Sequence, residues 1–401
     1  MLLTLANCQS HLDQKLFVHE ITDLQDLLAL KDDWSQVWKE STQQSLFASW
    51  DWAVSWWLHF GDSVPTSGPL RTMRILAVYS GSHQLYGLIP LYGVDRLSAG
   101  CWSREIRQFG DDGRDGEGMT EEPTVVIRHG CEDAVLYAAL QYLFGDQSSS
   151  WDFMKLRVQT ERTFLEQLPV SSKRHKVKRR TAEGSQILSL PSDWETYRRT
   201  LSRSMRDNLK YYPRKLDRAQ VRWRTHWAER PDEVRDYFPD LVRLHNHRAL
   251  NQRGMYHGTH MRGDRHVTFL RDIMRRLADQ QKVTLGIMEA NGEIIAAQAF
   301  LHSGDAVVVY YSGYSADWYD YSPVFILGSE LIRRAQAQGI RKINFLPDQT
   351  PWKERWGATS STAIHELVAI SMQPASLARI AYRSAHRTIE RGLSLQNGVR
   401  L

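Results

Sequence analysis

The stretch YSGYSADWYDYSPVFILGSELIRRAQAQG, residues 311–339, carries the chain from a strand into a helix through a loop rich in aromatic side chains. Just before it, AVVVYYSGY is an apolar, β-branched run that reads as a strand. After it, Ser322 is placed to cap a helix whose first residue is Pro323, and Gly339 stands where glycine favours a C-terminus. Arg333 and Arg334 suit the negative end of that helix. With this capping the N–H groups of Val324, Phe325 and Ile326 are expected to lack intrahelical partners. Such donors, aligned with the helix dipole, make an anion site.

The elements leading into this stretch are legible. A basic helical segment begins at Trp194, a second helix spans Glu233–Leu250 and a third runs from His266 to Gln280. VTLGIME and IIAAQAFLH then flank Asn291-Gly292, a strong hairpin signal. An SGD turn leads into the strand before the loop. RKINFLP and TAIHELVAIS read as two further strands.

The first half has a related order. Phe17 to Phe60 reads as mostly helical, with Trp34, Trp38, Trp50, Trp52, Trp56 and Trp57. RILAVYS and LYGLIPLYG form a strand–turn–strand unit, CEDAVLYAALQYLF a helix and WDFMKLRV a strand. The acidic, glycine-rich DDGRDGEGMTEEP, Asp111–Pro123, is expected to be a plain surface loop. The shared skeleton of the two halves suggests duplication of one α/β unit.

With 401 residues, 42% hydrophobic and 24% charged, the chain is globular and long enough for two domains. No apolar run approaches the ~18 residues of a membrane span, and MLLTLANCQS is too short for a secretion signal. Cys8, Cys101 and Cys131 lack any CxxC spacing, so neither a disulfide framework nor a zinc site is expected. The composition is that of a soluble, cytoplasmic protein. Net charge is +5, and the excess is local. SSKRHKVKRR holds six Lys and Arg, and the segment from Tyr197 to Arg224 holds ten. Such runs attract phosphate groups. Arg199, Arg203, Arg206, Lys210 and Arg214 recur at helical spacing as a basic stripe beside an apolar one, and Pro213 should end or kink that helix. His245 and His247 face different ways on a helix, and Gly254 and Gly258 argue against a helical His257/His260 pair, so no metal site is expected.

In order and spacing these segments resemble the GNAT superfamily of acyltransferases, and within it the CelD-like branch related to the FemAB peptidyltransferases. That branch has a strand ending Y-x-S-G-[FY], a loop Y-x-x-Y-S-P-G, a helix, then F-x-x-G-x-x-x-[YF]-K-x-x-[WF]-G. This chain has Tyr311-Ser312-Gly313-Tyr314, Asp320-Tyr321-Ser322-Pro323, and Phe345 to Gly357 with Lys353 and Trp356. LSRSMRDNL matches the branch's S-x-x-x-R-x-N-[LI] helix at Ser202, Arg206, Asn208 and Leu209. LFASWDWAVSWW matches its N-terminal tryptophan-rich stretch. The chain departs from the pattern at Val324, where glycine is usual, at Pro347-Asp348 and at Trp352.

The resemblance implies mixed α/β sheets in two tandem GNAT-like domains. The first spans 1–170 and is expected to be non-catalytic, 171–185 is a basic linker, and 186–401 carries the donor site and a helical tail. The implied reaction moves an acyl group from acyl-CoA, a cosubstrate in place of any tightly bound cofactor, to a small amine or amino sugar. Asp348 and Lys353 are the implied catalytic pair. Tyr311, Ser312, Gly313, Tyr321, Ser322, Pro323, Val324 and Phe325 would hold the donor, and Arg206, Asn208 and His245 the acceptor. Two alternatives stay open: an inactive scaffold in exopolysaccharide or cellulose assembly, and a FemX-like transferase using aminoacyl-tRNA.

Overall fold

Alternating apolar residues and short Gly-containing turns fold the chain into sheets flanked by helices. The structure, a computed structural model, describes residues 15–61, 71–98, 101–111, 119–122, 124–145, 147–159, 174–182, 184–249, 261, 263–347, 350–361, 364–378 and 381. It divides into two units, one of 1–114, 123–182 and 364–401, the other of 115–122 and 183–363.

In the first unit, β1 (Phe17–Ile21) precedes α1 (Leu24–Ala29), α2 (Lys31–Glu40) and α3 (Trp50–Phe60). Strands β2 (Arg71–Met73), β3 (Ile75–Tyr79), β4 (Leu85–Ile89), β5 (Leu91–Ser98), β6 (Cys101–Gln108) and β7 (Val126–Ile127) follow, then α4 (Glu132–Phe144), β8 (Phe153–Gln159) and β9 (His175–Ala182). They form one sheet in the order β1-β3-β4-β7 and a second in the order β2-β5-β6-β8-β17-β9, where β17 is Ile364–Ser371. Trp34, Trp52, Trp56 and Trp151 are fully buried in this unit.

Three features here differ from the sequence reading. Phe17–Ile21 is a strand, not part of a helix, because it pairs antiparallel with β3 along its whole length. The basic stretch expected to be a linker supplies β9, an edge strand paired with β17. The last strand of the chain therefore belongs to the first unit and not to the second. Cys131 is buried and disulfide-bonded, which the spacing of the cysteines does not reveal.

The second unit is one seven-stranded sheet in the order β11-β12-β13-β14-β15-β10-β16. Its elements are β10 (Gln186–Ser189), α5 (Trp194–Thr200), α6 (Arg203–Arg218), β11 (Trp223–Ala228), α7 (Pro231–Ala249) and α8 (Asp264–Asp279). After these come β12 (Val283–Ala290), β13 (Glu293–Ser303), β14 (Ala306–Tyr314), α9 (Pro323–Ala337), β15 (Lys342–Asn344), α10 (Pro351–Arg355) and β16 (Thr359–Ser360). Asn291 and Gly292 both take positive φ (52° and 86°) in the β12–β13 turn, as a tight hairpin between right-twisted strands requires.

Helices α5, α6 and α9 share an apolar core with the sheet through Tyr197, Met205, Leu216, Ile326, Leu331 and Ile332. The large aliphatic side chains of α9 contribute about 1.5–3 kcal/mol each by leaving water. Helix α7 packs on the sheet at β14. Of the two outcomes expected at Pro213, α6 does not end there but runs on to Arg218. Its buried Met205 and Leu216 lie on either side of the proline, so core packing on both sides holds the helix together. Among the described residues no helix is long and apolar enough to cross a membrane, and no group of three metal-ligating side chains is present.

Candidate functional site

The two central strands of the second unit part company. β14 and β15 run parallel and pair only from Ala306↔Lys342 to Val308↔Asn344. β15 then ends, while β14 continues to Tyr314. On its other side β14 carries a bulge: Phe300 pairs with Val309 and Gln298 with Ser312, so Tyr310 and Tyr311 both stand opposite Ala299. Such a bulge interrupts the ladder and re-aims side chains. The two tyrosine rings lie 4.2 Å apart, both buried.

Residues 119–122 lie beside this parting, although the sequence reading made their loop an ordinary surface feature. Met119, Thr120 and Glu122 are buried. The Tyr310 hydroxyl donates to the Met119 carbonyl, and that of Tyr311 to Glu121 at 3.4 Å. Burial drives both phenols well above their ordinary range, and the Glu121 charge adds to the effect.

Glu122 is the residue the sequence reading missed. It accepts hydrogen bonds from the Ser185 hydroxyl and from Asn344 Nδ2 at 3.1 Å, both on Oε1. Burial pushes its carboxyl up to about 7, against the lowering effect of the Asn344 bond and helped by the charge of Glu121. A buried carboxyl poised near neutrality suits proton transfer.

Asn344 also fixes the chain that follows. Its Oδ1 accepts the Leu346 amide at 2.7 Å, and Leu346 takes φ +65°, a strained backbone for a leucine. Lys353, buried on α10, donates to the Leu346 carbonyl at 3.1 Å and to that of Pro347. The ammonium is turned toward this turn, whereas the sequence reading gave it to a phosphate or an acceptor carboxylate. Asp348, the other expected catalytic residue, lies outside the described residues.

On the other side of β14, α7 presses against Gly313. A Cβ there would come within 2.2 Å of the His245 amide nitrogen and 2.3 Å of the Leu244 carbonyl carbon. This close approach aligns α7 with the bulge. His245 Nδ1 lies 3.0 Å from the Ser312 carbonyl, and Arg248 donates to the Ser312 hydroxyl at 2.7 Å. His245, expected to line an acceptor pocket, is buried beneath Tyr311, whose ring it meets edge-on at 5.4 Å.

The loop after β14 leads to the start of α9. Ser322 takes a left-handed conformation (φ 50°, ψ 53°) and its side chain makes no capping bond. Its carbonyl instead accepts from Phe325 at 3.0 Å and Ile326 at 3.2 Å. Of the three amides expected to be bare, only that of Val324 escapes these bonds, and Pro323 has none to offer. The basic helix α6 runs beside this start. Lys215 Nζ donates to the Asp320 carbonyl at 2.8 Å and lies 5.0 Å from the Tyr321 ring centroid. Phe325, half-buried, stacks on Trp356 at 4.9 Å. Arg206 bonds back to the Leu201 carbonyl at 2.5 Å, and Asn208 is half-buried on the same helix. The structure thus gathers the expected donor residues at one end of β14. Arg206 and Asn208 lie in the first two turns of α6, whereas Lys215, in its last turn, reaches the loop.

Residues 203–354 match the family model described as an acetyltransferase (GNAT) domain. No curated protein matches the chain. Among solved structures it is similar to FemX, with 11% identity and a TM-score of 0.56 over 87% of this chain and 96% of that one. A protein of unknown function from Bacteroides thetaiotaomicron is 12% identical, with a TM-score of 0.49 over 88% and 100% of the two chains. A tandem GNAT protein from the clavulanic acid biosynthesis pathway is 12% identical, with a TM-score of 0.42 over 90% and 99%.

Proposed function

We propose that this chain is a GNAT-type acyltransferase that moves an acyl group from an acyl-CoA thioester to the amine of a small molecule or amino sugar. The observation that carries the reading is the parting of β14 from β15 with a bulge at its mouth. An acyl-pantetheine arm can extend along β14 where β15 no longer pairs with it. A backbone amide released by the bulge can polarise the thioester carbonyl as a fixed dipole. The diphosphate of the donor would meet the Val324 amide at the positive end of α9, with the Lys215 ammonium beside it.

The helix start offers one bare amide instead of three, and this favours a second reading, in which the acyl group arrives on a tRNA. Thermal shift with acetyl-CoA and longer acyl-CoAs separates the two. Binding at a hundredfold excess over Kd stabilises the protein by about 2.7 kcal/mol, and Lys215→Ala is expected to lose most of that gain. If no acyl-CoA shifts the melting temperature, and charged tRNA supports product formation, the first reading is wrong. If an acyl-CoA does shift it, mass spectrometry of metabolite extracts incubated with the labelled acyl-CoA identifies the acceptor.

A further inference from the structure

We propose that Glu122 is the general base of the transfer, its Oε2 taking the proton from the attacking amine while Asn344, Leu346 and Lys353 hold the carboxylate in place. This rests on the acyltransferase reading above, and it replaces the expected Asp348 in that role. Both bonds that Glu122 accepts fall on Oε1, and among the described residues Oε2 carries none. One oxygen is therefore anchored and the other is left for a proton.

The anchoring is continuous. Lys353 binds the Leu346 carbonyl, the Leu346 amide binds Asn344 Oδ1, and Asn344 Nδ2 binds Glu122. The lysine that the sequence marked as catalytic thus acts as a positioning residue three hydrogen bonds away from the base. The strained φ of Leu346 is the cost of presenting its amide and its carbonyl to these two partners at once.

Among the described residues, the groups around Glu122 come from several elements. Its own segment supplies Glu121, and β14 supplies Tyr310 and Tyr311. Asn344 and Ser185 are neutral donors, and the Lys353 ammonium points into the turn carbonyls. Beyond β14, Arg248 and His245 are tied to Ser312. Burial holds Glu122 near 7, where it can both accept and release a proton at neutral pH.

The step balances without another reagent. The amine loses its proton to Oε2, and its lone pair forms the new C–N bond at the thioester carbonyl carbon. The C–S bond breaks, and the leaving thiolate recovers the proton from Glu122 as free thiol. Amide and thiol are the products.

The test uses the full chain with acetyl-CoA and a panel of primary amines. Glu122→Gln keeps an oxygen that can accept both anchoring bonds, so it should still bind acetyl-CoA with an unchanged thermal shift. Its kcat/KM should fall about a hundredfold or more, and the acid limb of the pH profile near 7 should vanish. Asn344→Ala removes a bond that lowers the Glu122 pKa, so its acid limb should move to higher pH. A merely structural role for Asn344 would depress the rate without moving the limb.

The proposal is overturned if Glu122→Gln keeps kcat/KM within about threefold of the unaltered chain, or if Asp348→Asn alone abolishes the limb. Absence of product from the unaltered chain with acetyl-CoA counts against the acyl-CoA reading, not against this one. In that case infrared difference titration of the Glu122 carboxyl decides. A midpoint near 7 that rises in Asn344→Ala supports the positioning, and an ordinary carboxyl midpoint refutes it.

Discussion

Replacing Glu122 with glutamine should remove a dependence of stability on pH whose size can be worked out beforehand. The carboxyl ionises near 4.5 in an unfolded chain and at about 7 in the fold, where it is buried. Between those values the unfolded chain has lost a proton that the folded chain retains. The stability contributed by Glu122 is therefore fully present below pH 4.5, falls as pH rises through the window and is lost above 7. The gap between 4.5 and about 7, at about 1.4 kcal/mol per pH unit, amounts to about 3 kcal/mol. Glutamine does not titrate, and its oxygen can still accept from Ser185 and Asn344. The stability difference between the variant and the unaltered chain should therefore grow by about 3 kcal/mol, in favour of the variant, from pH 4.5 to pH 8. Urea unfolding at a series of pH values measures this, and the titration of groups remote from Glu122 cancels in the difference. Hydrogen exchange at the amides of β14 assigns the effect to the second unit. The reasoning is refuted if the difference is constant within about 0.5 kcal/mol across the range.

Gly313→Ala should destabilise the second unit by about 3 kcal/mol or more, because the added carbon meets helix backbone at 2.2 Å, where ordinary contact begins at 3.4 Å. The urea midpoint should drop by about 1 M or more, and a midpoint within error of the original contradicts the close approach. Tyr197→Phe should cost about 1 kcal/mol in the same assay, since the buried hydroxyl donates to the Trp356 carbonyl at 2.9 Å. In the first unit, burial alone would raise Asp152, but the side-chain and backbone donors of Arg104 and the Ser376 hydroxyl outweigh it and hold the carboxyl at about 2. The stability this contributes is present above the unfolded value of 3.8 and lost as pH falls toward about 2. Asp152→Asn should abolish that acid-side slope in unfolding monitored by circular dichroism.

What the sequence revealed was local. The β12–β13 hairpin follows from Asn291-Gly292, and α9 is bounded by Pro323 and Gly339, residues whose backbone preferences act over a few positions. β9 was misread because HKVKRRTA carries its charges on an exposed edge, where a strand and a linker look alike. Its partner, β17, lies almost two hundred residues later. Glu122 was missed for the same reason. Nothing near DDGRDGEGMTEEP indicates burial, which comes from Tyr310, Ser185 and Asn344. Lys353 was recognised, but a lysine in a motif does not declare whether its ammonium faces a ligand or a carbonyl.

Backbone strain gives an independent reason to place the chemistry where β14 and β15 separate. Seven non-glycine residues take positive φ among the described residues: His83, Met119, Gln220, Gln281, Asn291, Ser322 and Leu346. His83 and Asn291 turn hairpins, and Gln220 and Gln281 follow helix ends, where such a conformation lets a chain reverse cheaply. The other three need a different account. Met119 presents its carbonyl to Tyr310, Ser322 opens α9, and Leu346 is held between Asn344 and Lys353. Each conformation costs of order 1 kcal/mol or more and persists only where surrounding bonds fix it. Hairpin turns and helix ends give no reason for these three. A site that must hold a carboxylate, a bulged strand and a helix start in fixed relation does, because each strained residue anchors one of those three parts.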